Sequence, residues 1–240
     1  MDAAGDSNPG VPTSLFNTIL TVVDHGDNAA GSVNHVYPLG THTSLEAAKD
    51  FSRKALQSLG YSPSDFTSYE ERPKAPGSDA EAWPHGDGTM VYAKRTGPHD
   101  FIVGIATTPN NENLPADPSN PTQLALPGGT DHLHYVMQSK VDYNAVRADA
   151  AQSTEIEGIY TKRADALAAA KACLLDEDVR PEDFAEYDES DSPAFKNEWP
   201  FGEDVVVHAV AQTGENYTVA VRTVVGSRTK HARYTKLAKE

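Results

Sequence analysis

The chain contains one stretch twice, and this internal repeat constrains the fold more than any other feature of the sequence. Aligning Trp83 with Trp199 superimposes residues 83–107 on residues 199–223 without a gap, and the match continues upstream with small gaps. The two copies are roughly 116 residues apart, which is too long a period for a solenoid repeat. We therefore interpret the chain as a tandem duplication of one small module.

The residue pattern within each copy predicts an α+β module. Alternating apolar residues typical of strands precede and follow one helical segment, and the last two strands are joined by a short turn. In the first copy, Thr43 and Glu46 have the spacing of a helix capping box, and Gly60 is expected to end the helix. The predicted module is β-β-α-β-β-β, an antiparallel sheet with one face covered by the helix. Because the second face or an edge of each sheet needs protection, we expect the modules to pack as a pseudo-twofold pair.

Proline and charge patterns predict the domain boundaries. Residues 12–108 are assigned to module 1 and residues 130–226 to module 2. Residues 109–129 contain five prolines and are interpreted as the linker between the modules. Residues 227–240 are rich in lysine and arginine and are interpreted as a basic C-terminal tail.

The overall charge and the lack of known motifs restrict the possible partners. The formal net charge of −15 disfavours nucleic acid, because a protein that binds the phosphate backbone needs a basic face. No apolar run approaches the roughly 18–20 residues of a membrane helix, so no membrane partner is expected. Nucleotide-binding glycine motifs are also missing, and no cofactor is predicted. The oligomeric state is left open.

The N-terminus and the cysteine content bear on the compartment. The first residues lack the basic and apolar regions of a signal peptide. The single cysteine, Cys173, excludes an internal disulfide, which favours a reducing compartment. We predict a cytoplasmic protein, with a mature secreted form as the alternative. Cys173 itself is expected to pack as a small apolar side chain.

Repeated aromatic residues are the predicted binding residues. The two tryptophans occupy equivalent positions, where they either close the turn onto the core or form an aromatic wall beside a ligand. Tyrosines that recur beside acidic residues, or that lie on the final hairpin, belong to the same set. The predicted binding residues are Trp83, Trp199, Tyr92, Tyr69 and Tyr187.

Two histidines differ between the copies and are the candidate catalytic residues. His85 has Phe201 as its equivalent, and His208 has Tyr92. A polar residue that replaces an apolar one in a single copy marks a place where function could become asymmetric. General acid–base catalysis by His85 or His208 is one interpretation, and neutral drift of surface residues is the other.

Histidine spacing was also considered as a sign of metal binding. His132 and His134 alternate on a predicted strand, and His25 and His35 lie at the corresponding place in module 1. Two histidines do not complete a site, and no HExxH or CxxC spacing is present. We therefore predict no metal site, and metal storage or sensing through these four histidines is a third hypothesis.

Two classes of function are consistent with the sequence. The first is a soluble, pseudo-symmetric binding or interaction protein without a catalytic motif, whose partner is a protein or a small molecule. The alternative is a cofactor-independent enzyme of the isomerase, cyclase or hydrolase type, with a small-molecule pocket between the modules. The enzyme hypothesis expects His85 and His208 to face one enclosed pocket.

Overall fold

The computed structural model describes residues 10–26, 32–74, 83–128, 130, 132–142, 151–195 and 199–224. This part of the chain forms two five-stranded antiparallel sheets, two α-helices and a small two-stranded sheet. The predicted α+β class with antiparallel sheets is confirmed, and the chain divides into two similar halves. The predicted basic tail, 227–240, lies outside the described residues.

The helices and strands follow the same order in both halves: two strands, a helix and three strands. The first half contains β1 (Ser14–Asp24), β2 (Val33–His42), α1 (Leu45–Ser58), β3 (Ser68–Glu71), β4 (Thr89–Lys94) and β5 (His99–Pro109). A hairpin of two short strands follows, β6 (Ala116–Asp117) and β7 (Asn120–Leu124). The second half contains β8 (Leu133–Asp142), β9 (Ala151–Tyr160), α2 (Arg163–Ala172), β10 (Phe184–Glu189), β11 (Val205–Ala211) and β12 (Asn216–Val224).

The two large sheets arrange their strands alike. The order is β2-β1-β5-β4-β3 in the first sheet and β9-β8-β12-β11-β10 in the second. The first strand of each half thus pairs with its last strand inside the sheet, and the third strand lies at an edge. The strands β2 and β9 each contain ten residues, and β1 and β8 pair with them along most of their length.

The start of α1 differs from the prediction by one residue. The N-cap is Ser44, whose hydroxyl oxygen accepts the Ala47 N–H at 3.3 Å. Thr43 instead donates its hydroxyl to the backbone oxygen of Pro121 in the hairpin that follows the first half. A contact between residues far apart in sequence thus replaces the local cap that the spacing predicted.

The end of α1 matches the prediction. Gly60 has a φ of 91°, which a glycine adopts without the steric cost that a side chain would impose. Its N–H donates to Gln57 O at 2.9 Å, and the N–H of Tyr61 donates to Leu56 O at 3.0 Å. These two bonds satisfy carbonyl groups of the last helical turn.

Three apolar clusters show that the protein has four layers: helix, sheet, sheet and helix. Strand alternation separates the clusters. In β1, Leu20 packs toward α1, whereas Leu15 packs toward the second sheet. In β8, Val136 packs toward α2, whereas Tyr135 packs toward the first sheet. The buried members of the cluster between the sheets are Leu15, Val36, Leu114, Leu133, Tyr135, Met137 and Ile159.

A chain of hydrogen bonds crosses the same interface. The phenol of Tyr135 donates to the Thr41 hydroxyl at 2.8 Å, and that hydroxyl donates to Asn17 Oδ1 at 2.7 Å. The Asn17 amide then donates to the Thr108 hydroxyl at 3.0 Å. Asn17 is fully buried, so this chain supplies the partners that its amide would otherwise find in water.

The segment predicted as a linker packs against the body of the protein. Leu114 is buried in the cluster between the sheets, and Leu124 and Leu126 pack against that cluster. The predicted domain boundaries remain a prediction. Neither helix in the described part of the chain is long and apolar enough to cross a membrane.

Candidate functional site

The repeated Trp-Pro-x-Gly turns adopt the same backbone geometry in both halves. Gly86 and Gly202 have φ values of 87° and 108°, in the region that favours glycine. The carbonyl of Gly86 accepts the Thr89 N–H at 3.2 Å, and that of Gly202 accepts the Val205 N–H at 3.2 Å. Each turn therefore leads directly into β4 or β11 and fixes where the preceding tryptophan lies.

Trp83, His85 and Tyr92 form a group that we call the first aromatic stack. The His85 and Tyr92 rings are nearly parallel, with centroids 4.1 Å apart, and the Trp83 ring meets His85 edge-on at 4.8 Å. His85 Nε2 lies 2.8 Å from Glu70 Oε2. The hydrogen bond from His85, helped by one from Ser68, lowers the pKa of the Glu70 carboxyl group. Glu70 is thus held as a carboxylate.

Asp100 connects the first aromatic stack to the end of β1. The Tyr92 hydroxyl donates to Asp100 Oδ2 at 2.8 Å, and His25 Nε2 lies 3.1 Å from the same oxygen. Burial, together with the hydrogen bond to Asp100, raises the pKa of Tyr92 to about 12. Tyr92 therefore remains a neutral hydrogen-bond donor at neutral pH.

Trp199, Phe201 and His208 form the second aromatic stack. The Phe201 and His208 rings are nearly parallel at 3.7 Å, and the Trp199 ring meets Phe201 edge-on at 4.9 Å. The two halves place the histidine of the stacked pair differently. In the first half the histidine lies in the turn and Tyr92 lies on the strand, whereas in the second half Phe201 lies in the turn and the histidine lies on the strand. His85 thus lies in the turn that leads into β4 of the first sheet and His208 lies on β11 of the second sheet, each within its own stack.

The remaining predicted binding residues lie on the other faces of the sheets. Tyr69 packs against the cluster beneath α1, and burial raises its pKa. Tyr187 packs beneath α2, and its hydroxyl donates to Lys171 O at 3.1 Å. The structure therefore brings Trp83 and Tyr92 together with His85 but separates Tyr69 and Tyr187 from the stacks. Whether any of these residues binds a ligand remains a prediction.

The four histidines of the metal hypothesis have other contacts. His25 lies beside Asp100, and His35 is an exposed residue of β2. His134 is buried, its Nδ1 lies 2.8 Å from the Thr223 hydroxyl, and its pKa is lowered mainly by burial. The rings of His132 and His134 meet edge-on at 5.0 Å.

A different group of metal-binding residue types is found in the second half. The group consists of Glu186, Asp188 and His208, whose ligand atoms all lie within 4.8 Å of one another. Within the described ranges, it is the group of three or more such side chains that meets this distance. The sequence analysis missed this group. Alternation alone places Glu186 and Asp188 on one face of β10, but only the pairing of β10 with β11 brings His208 beside them.

Cys173 is the C-cap residue of α2 and is partly buried. It packs against the apolar cluster beneath α2, and its thiol donates to Gln138 Oε1 at 3.5 Å. Burial raises the pKa of the thiol to about 12. Since the thiolate is the nucleophilic form, this environment favours a structural cysteine over a reactive one.

A cavity of about 560 Å³ lies beside the N-terminal half of α1, and we call it the α1 groove. Its apolar lining comes from Leu45, Met90 and Ile105. The charged side chains around it are Glu46, Lys49, Asp50, Arg53, Arg72, Lys74 and Asp87. All of these residues belong to the first half, so this cavity does not lie between the sheets.

Most charges around the α1 groove are already paired. Lys49 bonds Glu46 at 2.7 Å, Arg53 lies 3.4 Å from Asp50, and Arg72 lies 3.4 Å from Asp87. Lys74 is exposed and forms no ion pair with any residue in the described ranges. Among the described residues, the groove thus has an apolar part and one cation, Lys74, without an acidic partner.

Comparison with known proteins gives no relative from which a function could be transferred. No family model matches the chain, and neither the curated proteins nor the solved structures include a match. The function must therefore be argued from the geometry of this chain alone.

Proposed function

We propose that this protein is a non-enzymatic binding protein, and that its ligand is a small molecule with an apolar body and an anionic group. The α1 groove is the observation that carries this proposal. We further propose that the two halves arose by tandem duplication and pack as a pseudo-twofold pair, with the ligand site kept in the first half.

The size and lining of the α1 groove support a small-molecule ligand. Its volume of about 560 Å³ falls within the range of about 300–1,000 Å³ that is typical of small-molecule sites. Leu45 is 40% exposed although it is a large apolar side chain. An apolar ligand would cover Leu45 and Ile105, and removing that surface from water would favour binding.

The charges around the groove support an anionic ligand. A carboxylate placed at Lys74 would form an ion pair without displacing any partner from the described part of the chain, whereas the other three cations are held by acidic side chains. The chain as a whole carries a formal charge of −15, so a site with more cations than acids is a local exception. That local excess of cations favours the approach of an anion at this place.

In the described part of the second half, the lysine equivalent to Lys49 is held more tightly by acidic side chains. Lys171, which aligns with Lys49, is bound by Glu189 at 2.9 Å and by Asp191 at 2.6 Å. The ligand site is therefore proposed for the first half, where Lys74 lines the groove.

The binding proposal predicts that a Lys74→Glu variant binds decanoate at least about tenfold more weakly than the wild type, because a hydrogen bond to a charged group contributes about 1.5–3 kcal/mol. Decanoate combines an alkyl chain with a carboxylate. Binding is measured by titration calorimetry and by displacement of anilinonaphthalene sulfonate, a fluorescent anion with an apolar ring system. A Leu45→Gln variant is expected to weaken both probes through the apolar part of the groove.

Two controls make the decanoate experiment specific. Lys54→Glu carries the same charge change on an exposed lysine of α1 that does not line the groove, and it should leave the affinity unchanged. Decylammonium has the same chain with the opposite charge and should compete poorly. If K74E and K54E bind decanoate alike, or if neither anion binds the wild type, the proposal is wrong.

A cofactor-independent enzyme is the second candidate, and the contact between His85 and Glu70 favours it. When His85 Nε2 donates to Glu70, Nδ1 carries the lone pair of the neutral ring, as a general base requires. Stacking on Tyr92 fixes the plane of that ring. A carboxylate that orients a histidine is an arrangement found in hydrolases.

The enzyme candidate predicts that hydrolysis of 4-nitrophenyl acetate or octanoate falls about 100-fold or more in a His85→Gln variant, since general acid–base catalysis contributes about 10²–10⁴-fold. Rates are followed by release of 4-nitrophenolate. His35→Gln, which changes an exposed histidine of β2, serves as the control and should retain the activity. Equal rates in H85Q and the wild type would rule out His85 as the base.

A further inference from the structure

Glu186, Asp188 and His208 form an acid–histidine cluster on the second sheet. Glu186 and Asp188 lie two residues apart on β10, so both side chains point to the same face of the strand. His208 of β11 is the direct cross-strand partner of Asp188. The ligand atoms of the three side chains all lie within 4.8 Å of one another. The register of two neighbouring strands therefore creates the cluster.

The state of His208 points to a ligand that completes the cluster. His208 is only 7% exposed, yet its buried Nδ1 has no hydrogen-bond partner in the described part of the chain. Asp188 Oδ2 is the near acceptor, at 3.9 Å, which is too long for a hydrogen bond. Burying a polar atom without a partner is unfavourable, so a group placed between Nδ1 and Oδ2 would be stabilised.

The spacing of these atoms suits a divalent metal ion. Bonds of about 2.0–2.2 Å in a tetrahedral site place neighbouring ligand atoms roughly 3.3–3.6 Å apart. The observed separation of 3.9 Å between His208 Nδ1 and Asp188 Oδ2 needs to close by only a few tenths of an ångström. Glu186 is exposed and can turn toward the ion, and its side gives the ion a route of entry from solvent.

We propose that Glu186, Asp188 and His208 bind a divalent transition-metal ion such as Zn²⁺. One imidazole nitrogen and two carboxylate oxygens form a donor set that Zn²⁺ accepts, with a fourth position left for water. Phe201 stacks on the His208 ring at 3.7 Å and holds its plane before the ion arrives. The site shares no residue with the α1 groove, so it does not depend on the binding proposal.

The first half provides an internal comparison. Tyr92 stands where the second half has His208, and Ser68 stands where it has Glu186. Glu70, the equivalent of Asp188, is already bound by His85 at 2.8 Å. The same strands therefore carry no equivalent donor set, and one ion per chain is expected.

The test is a Zn²⁺ titration of the full chain, freed of affinity tag and chelated beforehand, by calorimetry and by equilibrium dialysis with elemental analysis. We expect one Zn²⁺ per wild-type chain. Asp188→Asn and Glu186→Gln should each weaken binding at least about tenfold, because changing even an outer partner of a metal ligand costs about 10–100-fold. Both substitutions affect partly or fully exposed side chains, so these variants are expected to fold.

Matched variants decide the outcome. Glu177→Gln removes one exposed carboxylate from residues 176–191, the acidic stretch that also contains Glu186 and Asp188, and it should bind Zn²⁺ as the wild type does. His208→Gln should abolish stoichiometric binding, and wild-type Co²⁺ spectra should show coordination that D188N lacks. Absence of Zn²⁺ binding to the wild type, or equal losses in E177Q and D188N, would overturn the proposal. Equal losses in E177Q and D188N would mean that the acidic surface attracts cations without a specific site.

Discussion

A Leu15→Ala variant is expected to lose about 3 kcal/mol of unfolding free energy, because truncating a buried leucine costs about 2–5 kcal/mol when the surroundings cannot fill the cavity. Leu15 is 1% exposed and packs in the cluster between the two sheets. That cluster takes side chains from both halves and from the segment that joins them. The substitution should therefore destabilise the whole protein and not the first half alone.

Urea denaturation followed by tryptophan fluorescence and by circular dichroism tests this expectation. Trp83 and Trp199 report on different halves, so a single coincident transition in wild type and variant would show that the halves unfold together. Val33→Ala is the control, because Val33 is 42% exposed on β2, and it should change the stability by no more than about 0.5 kcal/mol. Two separated transitions in the wild type would contradict a shared core.

An Asn17→Ala variant is expected to lose about 2–4 kcal/mol of unfolding free energy, since each buried polar group left without a partner costs about 1–3 kcal/mol. Asn17 is fully buried and bonds the hydroxyl groups of Thr41 and Thr108. Both hydroxyls would lose a partner in the variant. Thr41 also accepts the Tyr135 phenol, so the loss would weaken the polar connection between the sheets.

Thermal and urea unfolding measure this loss, and a second substitution identifies its cause. Adding Thr108→Val to N17A removes the buried hydroxyl that lost the Asn17 amide as its donor, and it should recover part of the lost stability. Asn120→Ala, at an exposed asparagine of β7, is the control and should stay within about 0.5 kcal/mol of the wild type. If N17A proves as stable as N120A, the buried hydrogen-bond network does not stabilise the fold.

Much of the fold could be predicted because the relevant patterns are local. The alternation in β1 and β8 predicted strands, and the glycine at position 60 predicted the end of α1. The N-cap was misplaced by one residue because Thr43 is engaged by Pro121, a contact that no local pattern contains. The lengths of β2 and β9 were likewise set by pairing with their neighbours.

The candidate sites were harder to predict than the fold. Comparison of the two copies identified His85 and His208 as positions that differ. It did not show that each histidine stacks on the residue that occupies the other histidine's equivalent position, Tyr92 for His85 and Phe201 for His208. The metal hypothesis chose His132 and His134 because they alternate on one strand. Glu186 and Asp188 alternate in the same way, yet their third partner lies on another strand.

The sequence by itself determined that this protein has two similar α+β halves, since a repeat and a period of two residues are properties of the chain alone. Only the tertiary structure decided that the sheets pack face to face over a common apolar cluster and that the α1 groove opens on the first half. It also decided that His208 lies beside Asp188. Alternation fixes the face on which a side chain lies, but its neighbours across a sheet depend on strand register, which is set by contacts between distant residues.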